Sequence, residues 1–143
     1  MTVEIREGMP DPEAFRKLRE RTGLTPVTAE AATRGLPNTI FGVTAVRSLD
    51  QRGSGATEEE VVGMGRLVGD DGCFYQVVDV AVEPDYQGRG IGTQVMATLV
   101  DWLEANAPSS AYVSLIADVD GFYERFGFEP VAPDSRGMAM RLP

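Results

Sequence analysis

Three glycines stand at alternate positions, Gly88, Gly90 and Gly92, inside the stretch "VAVEPDYQGRGIGTQVMATLV" from Val80 to Val100. Upstream runs a nearly continuous apolar segment, Cys73 to Val82, as for a strand buried on both faces. Downstream, Val95, Met96, Leu99, Val100 and Leu103 fall at helical spacing. Glycine loses more conformational freedom on folding than any other residue, so three between a strand and a helix need a reason. One reason is phosphate. The first N–H groups of a helix have no internal partner, its dipole favours negative charge there, and bare backbone can fold into a concave nest of N–H groups. A glycine-rich turn without a ligand is the other reading that glycines alone leave open. Two familiar phosphate loops do not fit. No lysine follows these glycines, as a Walker loop needs, and G-x-G-x-G is not the dinucleotide G-x-G-x-x-G, whose downstream acid is replaced here by Tyr112 and Val113.

The remaining chain supplies elements around this junction. Val3 to Arg6 alternates as a short strand. Asp11 before Pro12 marks a helix start, Phe15 and Leu18 give that helix an apolar stripe, and Gly23 stops it. Thr25-Pro26 repeats the signal for a second short helix to about Arg34, closed by Gly35 and Pro37. Thr39 to Arg47 and Glu60 to Gly69 read as strands, joined by the polar, glycine-rich hairpin tip "SLDQRGSGATEEE". A helix over Gly92 to Ala105, a strand over Tyr112 to Ile116 and a short helix over Val119 to Phe126 follow, with Gly127 at its end. Val131 and Met138 to Leu142 suggest a closing hairpin. The order β-α-α-β-β-β-α-β-α-β, with no repeat or linker, predicts one α/β domain over residues 1–143 around a mixed sheet.

Composition narrows the chemistry. The chain has no histidine and one cysteine, which excludes Ser-His-Asp and Cys-His catalysis and His/Cys zinc sites. Proton transfer then falls to carboxylates, tyrosine, lysine, water or backbone, and no metal is expected. The lone Cys73 makes no internal disulfide, which fits a reducing, cytoplasmic setting. A net charge of -9 argues against nucleic acid as a partner, and no apolar run reaches the ~18 residues of a membrane span.

Gln87-Gly88-Arg89-Gly90-Ile91-Gly92 resembles the Q/R-x-x-G-x-G/A signature of the GNAT N-acetyltransferase superfamily. A second block, "GFYERFGFEP" from Gly121 to Pro130, is similar to that family's FYxxxGF block at a typical distance downstream. The resemblance implies a mixed, mostly antiparallel sheet flanked by helices on both faces. It also implies acetyl-coenzyme A as cosubstrate and a primary amine, small molecule or peptide, as acceptor. The loop from Gln87 through Gly88, Gly90, Ile91, Gly92 and Thr93 would hold the cofactor's phosphates. Arg89 would add a charge contact or stay in solvent. The backbone of Val80, Ala81 and Val82 would pair with the pantetheine arm as an added strand. A homodimer through sheet edges or C-terminal strands is also within the family's habit. The family's frequent asparagine seven positions before its tyrosine is replaced here by Ile116.

Two residues stand out for chemistry. Tyr123 sits with Val119, Phe122 and Phe126 at i, i+3, i+4 and i+7, which by itself reads as core packing. By resemblance it is the acid that protonates the departing thiolate; a phenol of pKa ~10 suits that leaving group. Asp79 interrupts the apolar strand, on the face of Val77 and Ala81 by simple alternation. It is either a base for the amine or an aspartate tying strand to loop. The arginines of the first helix, Arg16, Arg19 and Arg21, together with Lys17, read as its wet face. The two N-terminal helices, Asp11 to Pro37, and the C-terminal hairpin would frame the acceptor. A coenzyme A-binding sensor without turnover is the alternative function.

Overall fold

A computed structural model describes residues 2–50 and 57–143. Strand β1 covers Val3–Glu7 and helix α1 covers Pro12–Thr22. The cap of α1 forms as the sequence requires: the Asp11 side chain accepts from Ala14 N at 2.9 Å, and Gly23 ends the helix at φ 78°. Helix α2 covers Ala29–Gly35. Its cap is Thr28, whose Oγ1 accepts from Ala31 N at 3.1 Å, so the helix starts later than Thr25-Pro26 suggested. The cause lies on α1. Arg16 Nε donates to the Val27 carbonyl at 3.0 Å and the Arg19 guanidinium donates to the Thr25 carbonyl, which holds these residues out of the helix.

Strands β2 (Phe41–Asp50), β3 (Thr57–Gly69) and β4 (Phe74–Val82) form an antiparallel meander, and β5 (Tyr112–Ser114) joins β4 in parallel. The sheet order is β1-β2-β3-β4-β5. The strands β2 and β3 extend into the segment expected to be a loop; residues 51–56 of that tip lie outside the described residues.

Helix α3 (Ile91–Asn106) covers one face of the sheet, α1 and α2 the other. The α3 core joins Val95, Met96 and Leu99 to Val43, Val62, Leu67, Tyr75 and Val77, all essentially buried. On the opposite face Phe15, Leu18 and Ala32 pack on Met64 and Ala81. Side-chain-free backbone lets α3 lie close. A Cβ on Gly65 would stand 2.8 Å from Val95 Cγ1, and one on Gly63 would stand 3.1 Å from Ile91 Cγ2.

The end of the chain departs from expectation. Residues 119–122 are not helical, and Tyr123–Phe126 form a single 3-10 turn closed by Gly127 at φ 96°. The predicted apolar stripe therefore does not form: Val119 is exposed, while Tyr123 is buried. Among the described residues no closing hairpin forms either; Val131, Met138, Met140 and Leu142 are exposed on a tail without strand pairing there.

Candidate active site

The site begins with an interruption in β4. Met64 pairs with Ala81 and Arg66 with Val78, so Asp79 and Val80 together face the single residue Gly65. This is a β-bulge, and Asp79 takes φ 59°, left-handed backbone that a non-glycine residue rarely adopts. The bulge reverses the alternation. Tyr75 and Val77 point into the α3 core, but Ala81 packs against Phe15 and Leu18 beneath α1. Simple counting had put Asp79 on one face with both Val77 and Ala81; the extra residue separates those two and sends the Asp79 carboxylate to α1.

A second irregularity opens the cleft. β5 pairs with β4 only over Phe74–Gln76. Beyond Gln76 the two strands part, and the outer edge of β4 through Val82 has no strand partner among the described residues. Unpaired strand edges are templates for another extended segment.

That edge runs into the glycine loop. Pro84–Tyr86 make a 3-10 turn, and the Gln87 side-chain amide donates back to the Val82 carbonyl at 3.1 Å. Gly88 at φ 76° and Gly90 at φ 81° are left-handed, where glycine is the residue of choice. Gly90 stands at the N-cap of α3 with no side chain capping the helix, so the amides of its first turn stay open for a ligand. Among the described residues, no atom beyond its chain neighbours lies within 4 Å of where a Cβ on Gly88 or Gly90 would be. The uncapped helix start, the two left-handed glycines and the empty space above them suit an anionic group such as a pyrophosphate.

One cleft of about 440 Å³ gathers these parts. Of the residues singled out from the sequence, Val80, Ala81, Val82, Gln87, Gly88, Gly90, Ile91, Gly92, Thr93 and Tyr123 line it. Asp79 and Arg89 do not. The Arg89 guanidinium instead lies 5.1 Å from the Tyr86 ring centroid, a cation–π contact. The cleft adds residues that sequence reasoning did not assign to it: Thr22 and Leu24 from the end of α1, and Asp118, Val119, Phe122 and Arg125. Thr22 and Leu24 lie within the Asp11 to Pro37 segment expected to frame the acceptor, Arg125 lies within the FYxxxGF block, and that block opens on Phe122. Its ring is edge-on to Tyr123 at 5.0 Å and lies 3.5 Å from where a Gly92 Cβ would be, so it seats the tyrosine against the start of α3. Burial pushes the Tyr123 phenol above its ordinary pKa, and the nearby Asp118 carboxylate adds to the shift. The hydroxyl is thus a proton carrier through the neutral range.

Asp79 is engaged elsewhere. Arg66 Nε donates to its Oδ2 at 2.7 Å, and Arg19 Nη1 donates to its Oδ1. Side-chain exposures of 8% for Asp79, 11% for Arg19 and 14% for Arg66 place the trio under α1 and α2. Both carboxylate oxygens are taken by guanidinium donors, and the residue does not line the cleft. The expectation of a base at Asp79 gives way to a buried ion-pair anchor. Of the wet face expected of α1, Arg16, Lys17 and Arg21 are exposed, with Arg16 and Arg21 also reaching the Val27 carbonyl and Glu83, whereas Arg19 turns under the helix onto Asp79.

The site thus combines a strand edge opened by a bulge, a glycine loop and an uncapped helix N-terminus. The chain belongs to the GNAT acetyltransferase family, whose domain model matches residues 51–130. It is 33% identical over 91 residues to the uncharacterised N-acetyltransferase ycf52 of Porphyra purpurea, covering 64% of this chain and 51% of that protein. It is 44% identical over 80 residues to a chloroplastic serotonin N-acetyltransferase of Oryza sativa, covering 54% of this chain and 39% of that protein. The chain thus spans about half or less of the length of these curated relatives. Among solved structures, a probable acetyltransferase from Staphylococcus aureus matches with TM-score 0.85 and 38% identity over 99% of this chain and all of the other. A GNAT acetyltransferase from Brucella melitensis, solved with acetyl-coenzyme A, shares the fold at TM-score 0.60 and 21% identity, covering 90% and 84%.

Proposed function

We propose that the protein is an N-acetyltransferase that moves an acetyl group from acetyl-coenzyme A to a primary amine by direct attack. The observation that carries this reading is the cleft that holds the unpaired β4 edge, the open α3 N-terminus and Tyr123 together. Acetyl-coenzyme A supplies an activated thioester. The backbone amides from Gly88 to Thr93 hold its phosphates, and Val80 and Val82 pair with the pantetheine arm along the open edge. A backbone N–H of the Val80 segment faces the carbonyl oxygen as charge grows on it. The amine approaches from the side of α1 and α2, where Thr22 and Leu24 line the same cleft. Tyr123 holds the proton that the leaving sulfur takes up. Asp79 positions β4 through its two arginines, and the amine's proton leaves through water.

A coenzyme A sensor without turnover is the rival from another class. The buried tyrosine in the cleft weighs against it, since a pure binder has no use for a phenol there. Mixing the protein with acetyl-coenzyme A and a panel of primary amines, and following free thiol, tests the proposal. Amine-dependent thiol release equal to acetylated product is expected. Tight cofactor binding with no release for any amine would turn the reading to the sensor.

A further inference from the structure

Two guanidinium groups share one carboxylate beneath α1 and α2, and they do so beside an open cavity. The cavity, about 200 Å³, is lined by Arg19, Arg66 and Asp79 on one side and by Phe15, Val27 and Leu36 on the other. The trio carries a net charge of +1, from two arginines and one aspartate. Among the described residues no second carboxylate forms an ion pair with Arg19 or Arg66. Buried charge is costly unless balanced, so this imbalance calls for an anion.

The two arginines are not equivalent. All three Arg19 nitrogens are occupied, by Asp79 and the Thr25 carbonyl. Arg66 donates Nε to Asp79 and Nη1 to Thr39 Oγ1 at 3.0 Å and, at the limit of contact, to the Gly35 carbonyl at 3.4 Å. Its Nη2 has no hydrogen-bond partner among the described residues, and the residue lines the cavity. A planar cation at a cavity whose other walls include Phe15, Val27 and Leu36 is suited to a carboxylate on a short hydrocarbon frame. The location is also suggestive. Asp79 walls this cavity, while its chain neighbour Val80 lines the cleft described above.

We infer that the acceptor is an amine that also bears a carboxylate on a short apolar frame, and that Arg66 binds this carboxylate in the cavity beneath α1 and α2. The inference rests on the N-acetyltransferase reading, and its test separates the two. Glycine, β-alanine, 4-aminobutanoate, 5-aminopentanoate, leucine and phenylalanine are compared with their amides by thiol release, using the intact protein and Arg66→Met. That variant leaves a balanced Arg19–Asp79 pair, and its acetyl-coenzyme A affinity is the check on folding; Arg66→Lys replaces it if the methionine protein fails that check. The best carboxylate is expected to exceed its amide in kcat/KM by at least about tenfold, as a charge-assisted hydrogen bond provides. In Arg66→Met the ratio should fall close to one, and in Arg66→Lys it should lie between. If amides serve as well as carboxylates, or if the ratio ignores Arg66, the inference fails while the acetyltransferase reading stands. Should no amine release thiol, thermal melts with the same compounds decide. Stabilisation by carboxylates alone, lost in the Arg66 variant, supports the site, and its absence overturns it.

Discussion

Gln87 and Val82 are joined by a hydrogen bond from the Gln87 side-chain amide to the Val82 carbonyl, 3.1 Å long. The first residue of the glycine loop is thereby tied to the last residue of β4. The bond fixes where the loop leaves the strand, so it sets the nest against the open edge. Gln87→Ala should leave the fold intact, since the pair is largely exposed, and should weaken acetyl-coenzyme A binding by several-fold through loss of one bond of ~1 kcal/mol. Calorimetric titration checks this, with equal affinity as the contrary result.

Gly90 makes a stronger demand. At φ 81° it is strained for any side chain, and it caps α3. Gly90→Val combines a β-branched residue in left-handed backbone with a side chain over the first amides of the helix. Cofactor affinity should fall by a hundredfold or more, with circular dichroism unchanged. A valine protein that binds normally would remove the phosphates from this loop.

Tyr123→Phe separates chemistry from packing. The ring stays against Phe122, and only the hydroxyl is lost. Turnover should drop by ~10²–10⁴-fold if the hydroxyl protonates the sulfur. Affinity for coenzyme A and melting temperature should barely move. Preserved turnover would return Tyr123 to the core.

The pH profile offers an independent test of the same residue. Burial raises the phenol's pKa, with Asp118 adding to it. The acid form therefore persists beyond the usual phenol value of ~10, and the alkaline fall in kcat should come above that value. The raised pKa also means that the folded state holds this proton more tightly than the unfolded one. The stability it contributes is present below pH ~10 and is lost as pH climbs through the folded value. A limb in kcat below ~9 with a saturating, fully deprotonated amine would assign it to another group.

Asp79→Asn isolates the charge of the buried trio, because asparagine tolerates positive φ as well as aspartate does. Two arginines would then lie under α1 and α2 without a counter-charge. A loss of ~3–5 kcal/mol is expected, the usual cost of breaking a buried pair by removing one partner. Chemical denaturation measures it, and a loss under 1 kcal/mol would show that solvent already screens the cluster.

Much of this was readable from residues alone, where a local signal met no competitor. Asp11-Pro12 began a helix because the Asp11 side chain caps it, and Gly88 and Gly90 take the left-handed backbone that favours glycine. Signals failed where distant groups took over. Thr25-Pro26 looked like a helix start, but the Arg19 guanidinium holds the Thr25 carbonyl, and the cap moved to Thr28. Alternation misplaced Asp79 because the bulge depends on a β3 partner, Gly65, that no local pattern names. The heptad-like run Val119 to Phe126 promised a helix, yet only its last turn winds, and as 3-10. The alternating apolar residues of the tail, Met138, Met140 and Leu142, look like a strand, and among the described residues no strand pairs with them.

Gly63 and Gly65 on β3 permit the close seat of α3, with Ile91 and Val95 resting where side chains would otherwise be. Those glycines lie far from the loop in sequence and are not in the cleft lining, but they back Ile91, Ala81 and Val80, which are. They set the height at which the first turn of α3 rides above the strand that feeds it. Grafting the segment from Val80 to Val100 onto another sheet would therefore carry the signature without its spacing. A library aimed at retuning the cofactor grip has its most productive positions on β3, behind the motif rather than within it.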